Sequence, residues 1–183
     1  MMIPARLPDG VELRAAAEWR SVDGRRLEGR AAVFGAPARI GHFHETITRG
    51  AFAATLRGGR DILALVDHDP SRLLARTKSG TLRLTEDTEG LAFSLDLPDT
   101  QLGRDVLALA ERGDLGGASI GFRALDEHWP AKDRRELRAV ELVEMSIVHA
   151  FPAYAATSVQ TRSMQGAGAG LTPRARRLRL DLL

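Results

Sequence analysis

Residues 118–148 read ASIGFRALDEHWPAKDRRELRAVELVEMSIV. Apolar side chains alternate with small or polar ones through Ala118 to Leu125 and again through Arg138 to Val148. This period of two is typical of strands with one face in a core. Between the two segments, Pro130 to Arg134 has the composition of a turn. The stretch therefore predicts a strand, a turn and a returning strand.

Ser119 is the polar residue of interest in the first of these strands. Glycines precede it, and strand alternation places Ser119 and Gly121 on one face, where a substrate backbone could approach closely. The segment is not a Gly-x-Ser-x-Gly nucleophile elbow, because no helix follows the serine. The alternative interpretation is a serine in a strand weakened by glycine.

Glu144 is the corresponding residue of the second strand. Together with Ser146, it alternates with the apolar Val143, Met145 and Ile147. A carboxylate within an apolar strand is costly to bury unless it is paired, so we expect Glu144 to have a partner. The partner of a catalytic carboxylate would be a histidine, whereas a structural ion pair with an arginine is the alternative.

His68 follows the apolar run from Asp61 to Val66, which has the length of a buried strand, and lies between Asp67 and Asp69. Neighbouring carboxylates would stabilise the imidazolium that forms when histidine accepts a proton. A serine hydroxyl needs such a base, and a third group that orients the base. Together the residues predict a serine protease site, although a histidine in a polar turn remains the simpler alternative.

A metal site is the competing interpretation of the histidines. His42 and His44 share one face of a predicted strand, and with His68 and Asp67 or Asp69 they could bind a divalent ion. Hydrolysis by such a site would be sensitive to chelators and indifferent to loss of the serine.

The rest of the chain reads as short strands and two helices. The segment Thr48–Leu56 predicts a helix that is capped by Thr48 and ended by Gly58-Gly59. The 3.6-residue spacing of apolar residues predicts a second helix at Thr100–Arg112, ended by Gly113. The other predicted strands are Glu12–Arg20 and Arg25–Phe34 around an Asp-Gly turn, Phe43–Ile47, and a meander of Leu73–Thr77, Thr81–Thr85 and Leu91–Leu97. This pattern indicates a β-rich α+β fold, with a closed or nearly closed β-barrel as the expected architecture.

Composition narrows the class of protein. The chain has 183 residues, is 44% apolar and contains no cysteine, which excludes disulfides and a cysteine nucleophile. Neither a signal peptide nor a membrane span is evident, so we expect a soluble intracellular protein. The final 23 residues hold five arginines and one acid and so carry a charge of +4, whereas residues 1–160 carry −2, which gives the net charge of +2. The body is therefore not expected to bind specific nucleic acid.

The same segment sets the expected domain boundary. The run from Met164 to Gly170 is a Gly/Ala linker, and a basic and apolar end follows it. We therefore expect one domain over residues 1–160, followed by a flexible tail over residues 161–183.

The motifs taken together resemble the tailed-phage prohead protease family, the serine proteases that mature viral capsids. Each motif is short, and the resemblance rests on their number, order and spacing from about Arg25 to Ser158. The matching segments are Gly29–Gly35, Glu45–Phe52, His68-Asp69, Gly90-Leu91, Asp99–Asp105, Ser119–Phe122, Leu142–Val148 and Pro152-Ala153.

The resemblance implies a fold similar to that of the herpesvirus assembly protease, a β-barrel surrounded by helices. It implies His68 as general base, Ser119 as nucleophile and Glu144 as the third member, without a metal or organic cofactor. It also implies a site of action inside immature capsids, in the cytoplasm of a bacterial host.

The implied partners are the major capsid protein and the scaffold, both as substrates. Cleavage of the enzyme's own tail is a further implied activity, and homo-oligomers are compatible with the family. No membrane or specific nucleic acid is among the expected partners. The alternative functions are a non-catalytic capsid assembly or scaffold protein and a metal-dependent hydrolase using His42, His44 and His68.

Overall fold

A computed structural model describes residues 7–149, except residues 17 and 23, and only the backbone between residues 15 and 22. Strands dominate this part of the chain. The elements are β1 (Glu12–Ala16), β2 (Glu18–Val22), β3 (Arg26–Val33), β4 (Ala38–Ile40), β5 (Phe43–Ile47), α1 (Ala53–Arg57), β6 (Leu63–Val66), β7 (Asp69–Arg76), β8 (Leu82–Glu86), β9 (Gly90–Asp96), α2 (Gln101–Arg112), β10 (Gly117–Ala131) and β11 (Arg134–Val148).

The long hairpin of β10 and β11 organises the larger sheet. These strands pair antiparallel along most of their length, as their alternating sequences predict. β1 pairs with the outer edge of β10. The other edge of β11 pairs in parallel with two strands in succession, first β5 and then β6, which continue to β4 and β7 respectively. The residues on β11 near β6 carry the candidate site.

The smaller sheet is antiparallel, with the order β2-β3-β9-β8. The predicted hairpin around the Asp-Gly turn is confirmed by the pairing of β2 with β3, although Asp23 itself lies outside the described residues. The predicted strand Glu12–Arg20 is wrong as a single element, because β1 lies in the larger sheet and β2 in the smaller. The predicted meander is wrong at its first member, because β7 pairs with β6 and not with β8.

One hydrophobic core joins the two sheets. Strand alternation directs Ile120 and Phe122 of β10 and Met145 of β11 into it, and all three are fully buried. Leu27 and Leu95 contribute from the smaller sheet. The opposite face of β10 and β11 is thereby left to small and polar side chains.

The expected closed barrel is not observed. The described strands form two open sheets, and the path of the larger one ends at β1 and β4. The sheet forks at β11, whose second edge is divided between β5 and β6, so continuous closure around one axis does not occur. The coarser prediction of a β-rich α+β fold is confirmed, because the described residues form mostly strands and two helices.

The two helices differ in how well the sequence predicts them. α2 begins after Thr100, whose hydroxyl accepts a hydrogen bond from the Gly103 amide, and ends at Gly113 with a φ of 75°. α1 is shorter than predicted, and Phe52 occupies its N-cap position. The cap prediction for Thr48 is wrong, because its hydroxyl donates to the Leu137 carbonyl instead. Neither helix of the described chain has the length and apolar character of a membrane span.

A buried ionic network fixes β1 to the rest of the larger sheet. Arg14 donates to both carboxylate oxygens of Glu45, at 2.6 and 2.9 Å, and Arg135 donates to Glu45 and Glu12. The hydrogen bond from Arg135 is the main reason that the pKa of Glu12 is held below its usual value. The network thus connects β1, β5 and β11 and fixes the backbone of β1 against β10.

Candidate active site

The polar face of β10 and β11 carries the predicted site residues in register. Ser119 lies directly opposite Ser146, and Gly121 lies opposite Glu144. Since the side chains of paired residues project from the same face, all four share one side of the sheet. Ser119, Ser146 and Glu144 are each at most 2% exposed. The site is therefore built into the sheet.

Glu144 is a buried carboxylate that has a partner for each oxygen. Its Oε1 lies 2.8 Å from His68 Nδ1, and its Oε2 accepts a 2.6 Å hydrogen bond from the Ser146 hydroxyl. These contacts compensate the loss of hydration that burial imposes. The expected partner of Glu144 is thus His68. The alternative, an ion pair between Glu144 and an arginine, is not found among the described residues.

The His68 ring reaches Glu144 from a tight turn at the end of β6. Asp67 and His68 both have left-handed backbone conformations, with φ values of 51° and 60°. Such conformations cost about 1–3 kcal/mol each in residues other than glycine, and they persist only where surrounding contacts impose them. Here the Asp67 amide donates to the Ile147 carbonyl, and the His68 amide donates to the Ser146 hydroxyl. The strained turn therefore holds the His68 side chain against β11.

The two aspartates that flank His68 have other partners. Asp67 accepts a 2.9 Å hydrogen bond from the His149 amide, and its second oxygen lies 2.6 Å from His149 Nδ1. Partial burial opposes ionisation of Asp67, yet the hydrogen bonds from His149, with Arg72, hold its pKa below the usual value. Asp69 accepts from the amide and the hydroxyl of Ser71. Among these carboxylates, Glu144 is the one that contacts the His68 ring.

Ser119 is placed beside this pair but is not bonded to it. Its hydroxyl donates a 3.0 Å hydrogen bond to the Arg14 carbonyl of β1, and the described structure has no hydrogen bond between Ser119 and His68. The side chain lies across the strand pair from Ser146, which itself contacts the His68 turn. The structure thus brings His68 and Glu144 into contact and leaves the serine on the neighbouring strand.

Comparison with known proteins decides the family. The family model described as Caudovirus prohead serine protease matches residues 12–169, which include the whole site. The chain belongs to this family. No curated protein matches the chain, and no solved structure matches it either. Membership supports a role in phage capsid maturation in general.

The proposed metal site is not assembled in the described part of this family member. No group of three or more histidine, aspartate or glutamate side chains is arranged there to hold an ion. His44 pairs with Arg134 at one end of β11, whereas the turn of His68 lies beside Ile147 at the other end. His42 and His44 are both exposed. Their separation from His68 follows from the parallel pairing of β5 and β6 with different halves of β11.

Gly121 leaves the space that Glu144 occupies. A Cβ atom at position 121 would lie 2.3 Å from Glu144 Oε1 and 3.1 Å from its Cδ. Real Cβ contacts are longer, so any side chain at this position would displace the carboxylate. The sequence marks Gly121 as a residue on the face of Ser119 and does not reveal that its partner is Glu144.

If Glu144 orients a catalytic His68, Gly121→Ala should lower cleavage by about a hundredfold, because displacing a catalytic group by about an ångström has an effect of this size. The variant should stay folded but melt at a lower temperature, because the displaced carboxylate is buried and its two hydrogen bonds are disturbed. Cleavage assays and thermal melts of the variant test this. In a protein that already carries Glu144→Ala, adding Gly121→Ala should not lower the cleavage rate further. An additive loss in the double variant would mean that Gly121 does not act through Glu144.

Proposed function

We propose that the chain is a serine endopeptidase in which Ser119 is the nucleophile, His68 the general base and Glu144 the group that orients His68. The observation that carries the proposal is the 2.8 Å contact between His68 Nδ1 and the buried Glu144, one strand away from Ser119. This contact leaves His68 Nε2 available to accept a proton. A base that is oriented in this way is what activation of a serine hydroxyl requires.

The reaction would follow the two steps of acyl transfer. Ser119 Oγ forms a bond to the scissile carbonyl carbon while its proton passes to His68 Nε2, and the leaving amine then takes that proton. A water molecule then attacks the acyl carbon and passes a proton to His68. The bond from this carbon to Ser119 Oγ breaks, and His68 returns the proton to Oγ as the carboxylic acid product leaves. Glu144 orients the imidazolium of His68 and stabilises it in both steps.

Ser119 has to change its hydrogen bond before it can react. In the structure its hydroxyl donates to the Arg14 carbonyl, which a rotation about the Cα–Cβ bond would break. A bound substrate that contacts β10 near Ser119 could favour this rotation. The reactive state would then have the Ser119 hydroxyl directed toward His68.

The proposed substrates are the scaffold and the extensions of the major capsid protein, cleaved inside the immature capsid within the host cell. The family match supports capsid maturation in general, and the identity of the cleaved proteins is our proposal. Cleavage of the chain's own tail is part of the same proposal. Co-expression with a major capsid protein precursor from the same genome, followed by intact-mass measurement, tests this. Wild type should shorten the precursor and Ser119→Ala should not, whereas equal products from both would contradict the proposal.

A non-catalytic assembly protein is the second candidate function. It is favoured by one observation, the burial of Ser119 and its bond to the Arg14 carbonyl. Such a protein would bind the precursor and leave its mass unchanged, even when capsids assemble normally. The same co-expression experiment therefore separates the two functions.

We also propose that the protease domain ends near residue 160 and that residues 161–183 are a separate tail. The tail lies outside the described residues, so the proposal rests on composition. A Gly/Ala linker and five arginines against one acid cannot bury enough apolar surface to offset the entropy of ordering. We further propose that the apolar end of the tail contacts the capsid or scaffold protein.

The prediction is that a chain ending at Ser163 keeps its thermal transition and peptidase activity but enters immature capsids poorly. Melting curves, cleavage assays and quantification of the protease in purified capsids measure the three quantities. A matched control is the full-length chain with alanine at the tail arginines, which tests charge separately from length. Unfolding of the truncated chain would place the tail within the domain.

A further inference from the structure

Ser146 lies at the junction of the candidate site without being one of its three proposed members. Its side chain is fully buried. The hydroxyl donates a 2.6 Å hydrogen bond to Glu144 Oε2 and accepts a 3.1 Å hydrogen bond from the His68 amide. One hydroxyl thus connects the carboxylate with the backbone of the residue that the carboxylate orients.

Each contact adds a second constraint to a group that another hydrogen bond already holds, from His68 Nδ1 to Glu144 and from the Asp67 amide to the Ile147 carbonyl. Glu144 has three rotatable side-chain bonds, and the contact from His68 Nδ1 fixes only one carboxylate oxygen. The bond from Ser146 fixes the second oxygen and therefore the plane of the carboxylate. On the other side, Ser146 holds the His68 amide in a left-handed conformation that a non-glycine residue rarely adopts. Loss of the hydroxyl would relax both constraints at once.

Strand geometry brings the Ser146 side chain close to both Glu144 and the His68 turn. Ser146 and Glu144 are two residues apart on β11, so their side chains project from the same face. The parallel strand β6 pairs Leu65 with Ser146, and its chain continues into the turn of His68. A hydroxyl at position 146 is therefore within reach of both groups.

We propose that Ser146 is a positioning residue that fixes Glu144 and the His68 turn for catalysis, an inference that rests on the proposed serine peptidase function. It does not contact the substrate in this role. Its effect should therefore appear in the rate of reaction at Ser119 and not in the affinity for a reagent. It should also depend on the presence of Glu144.

The test uses a fluorophosphonate probe with the full-length chain, because this reagent does not require the natural substrate. Ser119 Oγ would bond to phosphorus, fluoride would leave, and His68 would take the hydroxyl proton. Labelling rates are measured over a range of probe concentrations for wild type, Ser146→Ala, Glu144→Ala and the double variant. Ser94→Ala, a serine on β9 in the smaller sheet, is the matched control.

We expect Ser146→Ala to lower the maximal labelling rate by about tenfold to a hundredfold, with an unchanged half-saturating concentration. When Glu144 is already alanine, Ser146→Ala should lower the maximal labelling rate by less than about threefold, because Ser146 then has no carboxylate to position. If the alanine variant does not fold, Ser146→Cys, which is similar in size, replaces it with the same expectation.

The inference is overturned if the Ser146→Ala protein is labelled at the wild-type rate. It is also overturned if Ser146→Ala lowers the labelling rate by the same factor with and without Glu144. It is also overturned if the half-saturating concentration alone changes. Failure of the proposed function looks different. In that case wild type is not labelled at Ser119, or Ser119→Ala is labelled as fast as wild type.

Discussion

Replacing Ser119 or His68 by alanine should each reduce cleavage of the capsid precursor by several orders of magnitude, on the order of a millionfold. The nucleophile and its base act as a unit, so the double variant should be little worse than either single one. Both variants should remain folded. The Ser119 side chain is small and makes one hydrogen bond to β1, and the His68 side chain lies in the turn after β6, where it is 17% exposed. Cleavage rates and melting curves of the three variants give the result.

Two matched controls accompany these variants. Ser94→Ala removes a serine from the smaller sheet, and His44→Ala removes an exposed histidine of the competing metal site. Both should cleave at the wild-type rate. If the Ser119→Ala protein still cleaves the precursor at a near-normal rate, the serine protease interpretation is wrong. If His44→Ala strongly lowers the cleavage rate, a metal site that includes His44 is favoured instead.

Glu144→Gln should lower cleavage by a factor of hundreds or more, less than the loss of Ser119. The amide retains the shape of the side chain but carries no charge to stabilise the imidazolium of His68. It also presents an N–H group where the carboxylate now accepts hydrogen bonds from two sides. Steady-state cleavage rates of purified protein measure the effect.

Glu141→Gln is the matched control for this substitution. Glu141 lies three residues earlier on β11 and pairs with Arg60 and Arg123 at the protein surface. Its amide variant should cleave normally. If Glu144→Gln lowers the cleavage rate by less than about tenfold, Glu144 has a structural role and does not orient His68 for catalysis. Asp67 and Asp69 would then be reconsidered, although both have other partners in the structure.

The sequence predicts the strands that carry the site because their periodicity is local. Alternation through residues 118–125 and 138–148 identifies β10 and β11, and the helical spacing of apolar residues with Gly113 at the end identifies α2. These signals depend on a few neighbouring residues. The expected barrel depends instead on which strands pair, and alternation does not encode pairing partners. The division of β11 between β5 and β6 is a property of this kind.

The candidate site shows the same distinction between local and long-range signals. Residue chemistry identifies His68, Ser119 and Glu144, and the structure places the last two on one face. The bond between Ser119 and the Arg14 carbonyl could not be predicted, since it depends on the pairing of β1 with β10. Ser146 carries a weak signal, because it alternates with Glu144, but the contact with the His68 amide requires the left-handed turn.

The most direct test of the account is to identify the residue that a fluorophosphonate modifies in the folded full-length protein. Peptide mass spectrometry after labelling and digestion locates the added phosphonyl group. The account predicts modification of Ser119 alone, lost in Ser119→Ala and strongly slowed in His68→Ala. Modification of a different serine, or equal labelling of wild type and His68→Ala, would contradict the claim that His68 and Glu144 activate Ser119.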